Sequence, residues 1–497
     1  MPRTYPSHTW LYLPIILLGF NFIFRLIDQS KLLWQFPLDF VNDLSSYMAQ
    51  LFFLKACGVY QLCGYWYNGF TTFHLTPPAW YFFTFPLYWI FGDVKIATYV
   101  SMLLIFLLSF FIILYFGKRF QWSIIQRIAF FLFFFSNAIV IGNFIRLGRV
   151  HELFGWMNFC VFAFLIFIYK DKPLDKTFFL VALFYALTVL SYLAIAIMGT
   201  LLLLGLFLVK QQWKEKLLVV LSGVVGLLLS SFWLVPFFLN LSNSFIPYER
   251  NAEWLLDFSR THLLTNIATF MIPLLFIIAF YVYYFSRGKQ RNDLVFYSPL
   301  LVLAVLLFTR IIVVVPVLNE IWQDPYLIFF IFFIVYLFFS LRWHHVPQRI
   351  RTLTPYLVLL VVLVSVSINM FSTPFFAEHD RDDNDLIELF PSVNHQFAYF
   401  TESGETPYAK AVYAYAPIYH NLTSPGGWYH HLKTPAYLDQ FAAFNEAFFT
   451  HECEDFLQLS EQLETYSFIA HDEDCDFLDT CGLTFIEQKG IFCLYEQ

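Results

Sequence analysis

The sequence predicts an all-α polytopic membrane domain with about 11 spans, followed by a small extracytoplasmic α/β domain. Of its 497 residues, 59% are hydrophobic and only 13% are charged, which is more apolar surface than a soluble core buries. Charge is distributed unevenly along the chain. Residues 372–497 contain 22 Asp or Glu and 4 Lys or Arg, whereas residues 1–371 contain 14 Asp or Glu and 25 Lys or Arg. We therefore expect a membrane domain over 1–371 and an acidic, water-soluble domain over 372–497.

The predicted spans are apolar segments long enough, or nearly long enough, to cross a bilayer. They lie at 10–27, 94–116, 123–143, 152–169, 176–190, 192–209, 217–239, 263–285, 294–315, 321–341 and 355–371. Lys and Arg concentrate in alternate connections, beginning with Lys118, Arg119 and Arg127, and the positive-inside rule places these connections in the cytoplasm. We expect a multi-pass protein of the plasma membrane with a cytoplasmic N-terminus and an extracytoplasmic C-terminal domain.

One further apolar run, 77–91, is expected to lie at the membrane surface rather than to cross it. Counting it as a span would move Lys118 and Arg119 outside and would invert every later loop. The run is also short, and Pro86 removes a backbone hydrogen bond that lipid cannot replace. We predict an interfacial or re-entrant helix near the end of a first outer loop, 28–93.

Residues that are rare in membrane proteins gather on the predicted non-cytoplasmic face. They are Asp39, Asp43, His74, Arg146, Arg149, His151, Glu152, Glu249, Arg250, Glu320 and Asp324. Polar groups at the ends of spans are costly unless they face a wet cavity. Their position on one face therefore predicts an outward-facing site, which the segment 247–250 and the acids Glu320 and Asp324 could also line.

Asp43 is the main candidate for a catalytic base. Either Asn42 or Asp43 could cap a helix that runs through 50–55, so a plain capping role is the structural alternative. An outward carboxylate beside such a helix and a Pro-rich aromatic run at 76–81 can instead take a proton from an acceptor hydroxyl. Asp39 is the second candidate for this role.

Arg146 and Arg149 form a second group of candidates, followed directly by His151 and Glu152. Two arginines three residues apart can present both guanidiniums to one phosphate, and Arg suits bidentate contact with phosphate. His151 and Glu152 could add a divalent metal such as Mg or Mn, although two adjacent residues are a weak ligand pattern. The structural alternative is that these side chains snorkel to the membrane interface.

Aromatic residues in two loops are candidates for binding a sugar or an acceptor. Trp80 and Tyr81 belong to the Pro-rich run, and Trp428, Tyr429 and His430 follow two glycines. Glycines at 426–427 permit backbone shapes that other residues avoid, so a tight loop can present the aromatic rings. A purely structural turn is the alternative for this loop.

The tail is expected to fold into a small α/β domain. Its last part predicts a strand at 466–470, a short helix at 474–481, and two strands at 483–486 and 491–495 joined near 489–490. Four cysteines lie in this domain, where disulfides can persist, and the sequence leaves all three pairings open: Cys453, Cys475, Cys481 and Cys493.

The layout resembles a known family. One span, then an outer loop with an acid near its start, then Gly69-Phe70 and a Pro-Pro-Ala-Trp-Tyr run at 77–81, is similar to the GT-C-type, polyprenyl-phosphate-dependent glycosyltransferases. With the Gly-Gly-Trp-Tyr loop at 426–429 and the closing pattern of the tail, it resembles more closely the prokaryotic membrane proteins labelled 6-pyruvoyl-tetrahydropterin-synthase-related.

The resemblance implies an inverting transfer from a polyprenyl-phosphate sugar to a glycan, lipid or protein acceptor of the cell envelope. Asp43 would be the base, and Arg146 and Arg149 would lie near the leaving phosphate. Many members of the family carry a His a few residues after the acid, where this chain has Ser46. In transferases of this family a second acid commonly follows the first, but this chain has Leu44 at that position. This difference is a departure from the metal-dependent arrangement.

The sequence lacks a P-loop, a dinucleotide fingerprint, a zinc spacing and a basic stripe for nucleic acid, so any donor must already be present in the membrane. A non-catalytic carrier or assembly scaffold for lipid-linked glycans is the alternative. A transporter would be expected to place ionisable residues near the bilayer midplane, often in repeated halves. The sequence shows no such repeat, which favours a surface site.

Overall fold

The computed structural model describes residues 8–39, 42–241, 255–257, 259, 263–400, 407–472 and 474–497. Six of its helices are long and apolar enough to cross a membrane: Thr9–Leu33, Val94–Arg119, Val150–Lys170, Thr265–Ser286, Arg291–Phe308 and Gln348–Phe371. Two bent helix pairs raise the number to as many as eight: Ile124–Phe135 with Ala138–Arg146, and Trp213–Leu229 with Ser231–Leu241. The predicted multi-pass membrane protein is therefore confirmed.

Three of the predicted spans correspond to apolar helices that are shorter than a typical crossing, Lys176–Ser191, Leu193–Val209 and Gln323–Phe339. The number of 11 spans thus stays a prediction. The run expected at the membrane surface forms the helix Ala79–Phe91, with Pro86 inside it, and this helix is not among the candidate spans.

The chain divides into two compact units, each assembled from three stretches. The first unit comprises Met1–Asp28, Met102–Phe232 and Tyr248–Pro374, and the second comprises Gln29–Ser101, Trp233–Pro247 and Phe375–Gln497. Most of the predicted first outer loop thus shares a unit with the tail. The sequence-based domains, 1–371 and 372–497, stay a prediction.

Aromatic side chains fill the interior of the first unit, which accounts for much of the chain's Phe content. The rings of Phe167 and Tyr336 stack with their centroids 3.9 Å apart, and Phe332 packs against Phe130, Phe134 and other rings at centroid distances of 5 to 6 Å. Such pairs add stability beyond the burial of their area. The helix Val150–Lys170, nearly all of whose side chains are buried, lies at the centre of this packing.

The second unit contains a four-stranded sheet in the order β3-β4-β6-β5. Strand β3 (Phe397–Tyr399) runs parallel to β4 (Ser467–His471), which pairs antiparallel with β6 (Phe492–Glu496), and β6 pairs antiparallel with β5 (Thr484–Lys489). The short strands β1 (Leu62–Cys63) and β2 (Phe70–Thr71) form a separate antiparallel pair. The predicted α/β tail, with its strands and the helix Asp474–Thr480, is confirmed.

The remaining helices of the second unit are Leu44–Ala56, Arg381–Leu389, Pro407–His420, Pro435–Phe449 and Cys453–Gln462. A cluster of buried rings, including Phe400, Phe444 and Phe456, joins the tail helices to the sheet. The structure also selects one of the three cysteine pairings, Cys453–Cys481 and Cys475–Cys493. A third disulfide, Cys57–Cys63, lies in the first outer loop and was not predicted.

A candidate tyrosine-lined site

The first outer loop and the tail are held together by backbone hydrogen bonds inside the second unit. The amide of Tyr67 donates to the carbonyl of Gly426 at 3.2 Å, and the amide of Ser424 donates to the carbonyl of Tyr65 at 3.1 Å. The indole N–H of Trp66, a fully buried residue, donates to a further tail carbonyl at 2.6 Å. These bonds bring the loop at 426–431 against the segment that follows Asp43.

Gly426 and Gly427 are needed for close approach to two tyrosine rings. A Cβ on Gly426 would lie 2.6 Å from Cζ of Tyr413, and a Cβ on Gly427 would lie 2.5 Å from Cε2 of Tyr67. Neither glycine has the positive φ that would make its backbone conformation special. The sequence-based explanation of these glycines, an unusual backbone conformation, is therefore wrong. Glycine is needed because a Cβ at either position would overlap a tyrosine ring.

Asp43 immediately precedes the helix Leu44–Ala56, but its side chain makes no capping hydrogen bond. Asn42 supplies that bond instead, because its Oδ1 accepts from the amide of Leu44 at 3.0 Å. Of the two predicted capping residues, Asn42 thus provides the side-chain cap. The carboxylate of Asp43 has no part in capping, which removes the structural alternative considered for it.

Ser46 connects the start of this helix to Tyr429 of the tail. Its hydroxyl donates to the carbonyl of Asp43 at 2.7 Å and also lies 2.7 Å from the hydroxyl of Tyr429. A serine hydroxyl has a single proton, so Tyr429 must be the donor in the second bond. Tyr429 is thereby fixed at the N-terminal end of the helix that follows Asp43.

Tyr81 belongs to the first turn of the helix Ala79–Phe91 and is fully buried. Burial, with the neighbouring hydroxyl of Tyr429 and the carboxylate of Asp43, raises the pKa of Tyr81 well above its usual value. The phenol is therefore neutral at physiological pH and keeps its proton. Within the part of the chain that the structure describes, its hydroxyl has no hydrogen-bond partner.

Tyr67 repeats this pattern in the loop. It is fully buried, and burial with the nearby Tyr437, Tyr413 and Tyr429 raises the pKa of its hydroxyl well above the usual value. Its hydroxyl likewise has no partner among the described residues. Leaving a buried hydroxyl unsatisfied costs about 1–3 kcal/mol, so two such groups beside Tyr429 indicate a place for a ligand or for ordered water.

We name Asp43, Ser46, Tyr67, Tyr81 and Tyr429 the tyrosine site. It combines one carboxylate with four hydroxyls, each of which can both donate and accept a hydrogen bond. A polyhydroxylated molecule such as a sugar offers the matching groups.

Asn42, Gln50 and Thr84 of the second unit are also buried with an unpartnered atom among the described residues. Sequence reasoning missed Gln50 and Thr84. A signal was present, because Ser46 and Gln50 are four residues apart and so share one side of the helix Leu44–Ala56. Thr84 follows Trp80 at the same spacing.

The other predicted aromatic residues have different surroundings. Trp80 is fully buried against the rings of Tyr47 and Tyr81, and its indole N–H has no partner among the described residues. Trp428 is buried and its ring meets that of Tyr429 edge-on at 6.5 Å. His430 is exposed and begins a short 3-10 turn.

The two predicted arginines lie in the first unit, where a π-helical turn, Gly142–Arg146, precedes the helix Val150–Lys170. Arg146 ends this turn and is 6% exposed. Arg149 Nη1 donates to Asn143 Oδ1 at 3.0 Å and forms an ion pair with Asp324 Oδ2 at 3.3 Å. Asp324, one of the acids expected to line the site, thus contacts Arg149.

His151 and Glu152 lie at the start of the same helix and are engaged by other residues. The fully buried Glu152 accepts a hydrogen bond from the indole N–H of Trp156 at 3.2 Å, and the ring of His151 meets that of Tyr192 at 5.3 Å. Across the described ranges, no group of three or more His, Cys, Asp or Glu is arranged to hold a metal ion. The segment 247–250 lies outside the described residues.

No protein-family model and no curated protein match the chain. Several solved structures match the chain. The chain is similar to arabinofuranosyltransferase AftD from Mycobacteria with a TM-score of 0.61 and 14% identity, over 96% of this chain and 41% of that one. It thus spans about two fifths of that protein's length.

It is also similar to the Archaeoglobus fulgidus oligosaccharyltransferase bound to Zn and sulfate, with a TM-score of 0.54 and 11% identity over 91% and 68% of the two chains. The archaeal oligosaccharyltransferase AglB from Archaeoglobus fulgidus, in complex with an inhibitory peptide and a dolichol-phosphate, gives a TM-score of 0.52 and 10% identity over 98% of this chain and 74% of that one. The nearer resemblance to 6-pyruvoyl-tetrahydropterin-synthase-related proteins stays a prediction. The chain therefore has the fold of the GT-C membrane glycosyltransferases.

Proposed function

We propose that this protein is an integral membrane glycosyltransferase. It moves a sugar from a polyprenyl-phosphate donor to a hydroxyl of a cell-envelope glycan, lipid or protein on the non-cytoplasmic face. The observation that carries the proposal is the pair of fully buried tyrosine hydroxyls, Tyr67 and Tyr81, which neighbour Tyr429 and lack a hydrogen-bond partner among the described residues. The likeness in fold to enzymes named for sugar transfer, one of them bound to a dolichol-phosphate, supports the same class of reaction.

The transfer is a single displacement that inverts the anomeric carbon. The carboxylate of Asp43 takes the proton of the acceptor hydroxyl as its oxygen attacks C1 of the donor sugar. The bond from C1 to the phosphate oxygen breaks with its electron pair, and polyprenyl phosphate leaves. Arg146 and Arg149 offset the negative charge that develops on the departing phosphate.

The hydroxyls of the tyrosine site orient the sugar or the acceptor beside Asp43. Tyr81 keeps its proton because its pKa is raised, so it can donate to a sugar oxygen, while Tyr429 is held in place by Ser46. Trp80, Trp428 and His430 complete the predicted surroundings of the substrates. Holding two reactants in one geometry supplies much of the barrier reduction in such transfers.

No step in this proposal uses a divalent metal. The carboxylate of Glu152 accepts a hydrogen bond from Trp156, and the ring of His151 packs against Tyr192. A requirement for Mg or Mn stays a prediction.

The test is transfer by purified protein in lipid, with labelled polyprenyl-phosphate sugars as donors and a membrane extract as the source of acceptors. Asp43→Asn keeps the shape of the side chain but removes the base, so transfer should fall about 100-fold or more while donor binding is retained. Asp39→Asn is the matched control and should remain active. Activity that survives Asp43→Asn but is lost in Asp39→Asn would show that the base is misassigned.

A further inference from the structure

Three connections between helices of the first unit converge on one face of that unit. They are the segments 170–177, 210–216 and 287–293. The ammonium group of Lys210 donates to the carbonyl of Lys172. The amide of Leu174 donates to Oε1 of Glu215 at 3.0 Å. The first connection is therefore in contact with the second.

Ion pairs join the third connection to the first. Arg287 Nη2 lies 3.7 Å from Asp171 Oδ2. Asp293, which is only 1% exposed, pairs with Arg287 Nε at 3.5 Å and also with the ammonium group of Lys170. We name the three connected segments the basic face.

The acids of the basic face are all engaged by neighbouring groups. The face contains nine Lys or Arg and four Asp or Glu, an excess of five positive charges. Two of the acids form the ion pairs just described, and a third, Glu215, pairs with Lys210 at 3.5 Å. The fourth, Asp175, accepts from the hydroxyl of Tyr169 at 2.5 Å and from the amide of Thr177 at 2.8 Å. Each carboxylate thus has a partner within the first unit.

Five cations of the basic face remain at the surface. They are exposed and form no ion pair among the described residues: Lys172, Lys176, Lys214, Lys289 and Arg291. The ammonium group of Lys289 lies 4.5 Å from the ring centre of Phe285, a contact that holds the cation but does not neutralise its charge. Positive charges gathered on one surface attract anions. The basic face is therefore expected to bind a negatively charged partner.

Exposed apolar side chains lie directly beside these cations. Phe179 is 60% exposed and follows Lys176 by three residues, so the two are neighbours on one side of their helix. Lys214 lies between Trp213, 72% exposed, and Leu217, 56% exposed, in the first turn of the helix Trp213–Leu229. Cations next to exposed aromatic and apolar groups are typical of the membrane interface. A lipid can cover both kinds of group, with its headgroup on the cations and its chains on the apolar side chains.

We propose that the basic face binds the headgroups of anionic phospholipids. Each Lys or Arg near an anionic lipid surface adds to the attraction, and the four acids that would oppose it are held in ion pairs and hydrogen bonds. The inference does not rest on the proposed function, because the tyrosine site belongs to the second unit and the basic face to the first.

The experiment measures lipid binding to the purified full chain by native mass spectrometry. The probes are phosphatidylglycerol and phosphatidylcholine with the same acyl chains. The wild type should bind phosphatidylglycerol more tightly, and Lys172→Gln/Lys214→Gln should weaken that binding about 5-fold for each lysine removed. Binding of phosphatidylcholine should not change. The preference should also shrink as NaCl rises from about 0.1 to about 1 M, because salt screens exposed charges.

Lys410→Gln/Lys489→Gln is the matched control, since it removes two positive charges from the tail and should leave both affinities unchanged. Lys172 and Lys214 are exposed, so the double variant should melt like the wild type in detergent. Equal affinity of the wild type for the two lipids would overturn the proposal. So would unchanged affinity for phosphatidylglycerol in the folded Lys172→Gln/Lys214→Gln protein.

Inorganic phosphate and polyglutamate distinguish a lipid from other anions. Failure of either competitor at millimolar concentration to displace phosphatidylglycerol would support the lipid site. Displacement by inorganic phosphate at the lipid's own concentration would show that the phosphate group alone is recognised. Displacement by polyglutamate at an equal concentration of negative charge would favour an acidic protein partner, and either result would overturn the lipid assignment.

Discussion

Tyr81→Phe removes one hydroxyl from the tyrosine site, and the structure predicts that stability and activity respond in opposite directions. The side chain is fully buried, and its hydroxyl has no hydrogen-bond partner among the described residues. A buried hydroxyl left unsatisfied costs about 1–3 kcal/mol. Deleting it should therefore raise the free energy of unfolding by up to about that amount, and the melting temperature in detergent should rise.

Activity should fall, because the same hydroxyl is proposed to donate to a substrate. Loss of one neutral hydrogen bond of about 0.5–1.5 kcal/mol lowers kcat/KM about 2- to 12-fold. Tyr429→Phe is the matched variant, since its hydroxyl does donate, to Ser46, at 2.7 Å. It should lose both stability and activity.

The assay pairs thermal melting with transfer from a labelled donor for both variants. A Tyr81→Phe protein that melts lower than the wild type and transfers at the wild-type rate would refute the reasoning. That result would mean that the hydroxyl is satisfied inside the fold and has no contact with a substrate.

Two further predictions concern the loop around Tyr429. Gly427→Ala places a Cβ 2.5 Å from the buried ring of Tyr67, so the free energy of unfolding should fall by about 1–3 kcal/mol. Gly64→Ala is the control and should melt like the wild type, because its Cβ would meet nothing within 4 Å. Equal melting temperatures for the two variants would contradict this prediction. His431, whose pKa is lowered to about 4 by burial and by His430, binds its proton less readily when folded. Stability should therefore fall as the pH drops from about 6.5 towards 4. In His431→Gln the melting temperature should depend less on pH over this range. An equal dependence in the wild type and the variant would show that His431 does not contribute.

Local patterns predicted the elements whose structure depends on nearby residues. The strands and the short helix of the tail follow from alternating apolar residues and from the turn at Gly490, which has a positive φ of 53°. Pro86 and the parity of the basic loops predicted that 77–91 does not cross the membrane, and its helix, Ala79–Phe91, is not among the candidate spans. The apolar segments predicted as spans coincide with helices because helical hydrogen bonds are satisfied within each segment.

The tyrosine site could be predicted only in part, because it joins residues that are far apart in the chain. Ser46 and Tyr429 are separated by 383 positions, and no local pattern specifies that contact. Asp43 and Tyr429 were each singled out from the residues beside them in the sequence. Tyr67 was not, because nothing in the sequence distinguishes it from the other aromatic residues of the loop. The role of the two glycines was also misread, since a ring 2.5 Å from a missing Cβ is visible only in three dimensions.

Arg25, a buried residue of the first candidate span, was not singled out from the sequence. A single charge in the last turns of a long apolar segment barely changes the hydropathy of that segment, so the residue was absorbed into the first span. The ion pair of Arg149 with Asp324 could be anticipated only as two residues on one face, because the sequence does not give their distance.

The central claim is that the protein breaks the bond between a sugar and a lipid phosphate, and a doubly labelled donor tests it most directly. A polyprenyl-phosphate sugar with ¹⁴C in the sugar and ³²P in the phosphate is incubated with the protein in lipid and with a membrane extract. The account predicts that ¹⁴C moves to the acceptor while ³²P stays with the polyprenol, and that Asp43→Asn keeps the labels together. Labels that stay together with the wild type, although the donor is bound, would contradict the account and would favour a carrier or scaffold of lipid-linked glycans.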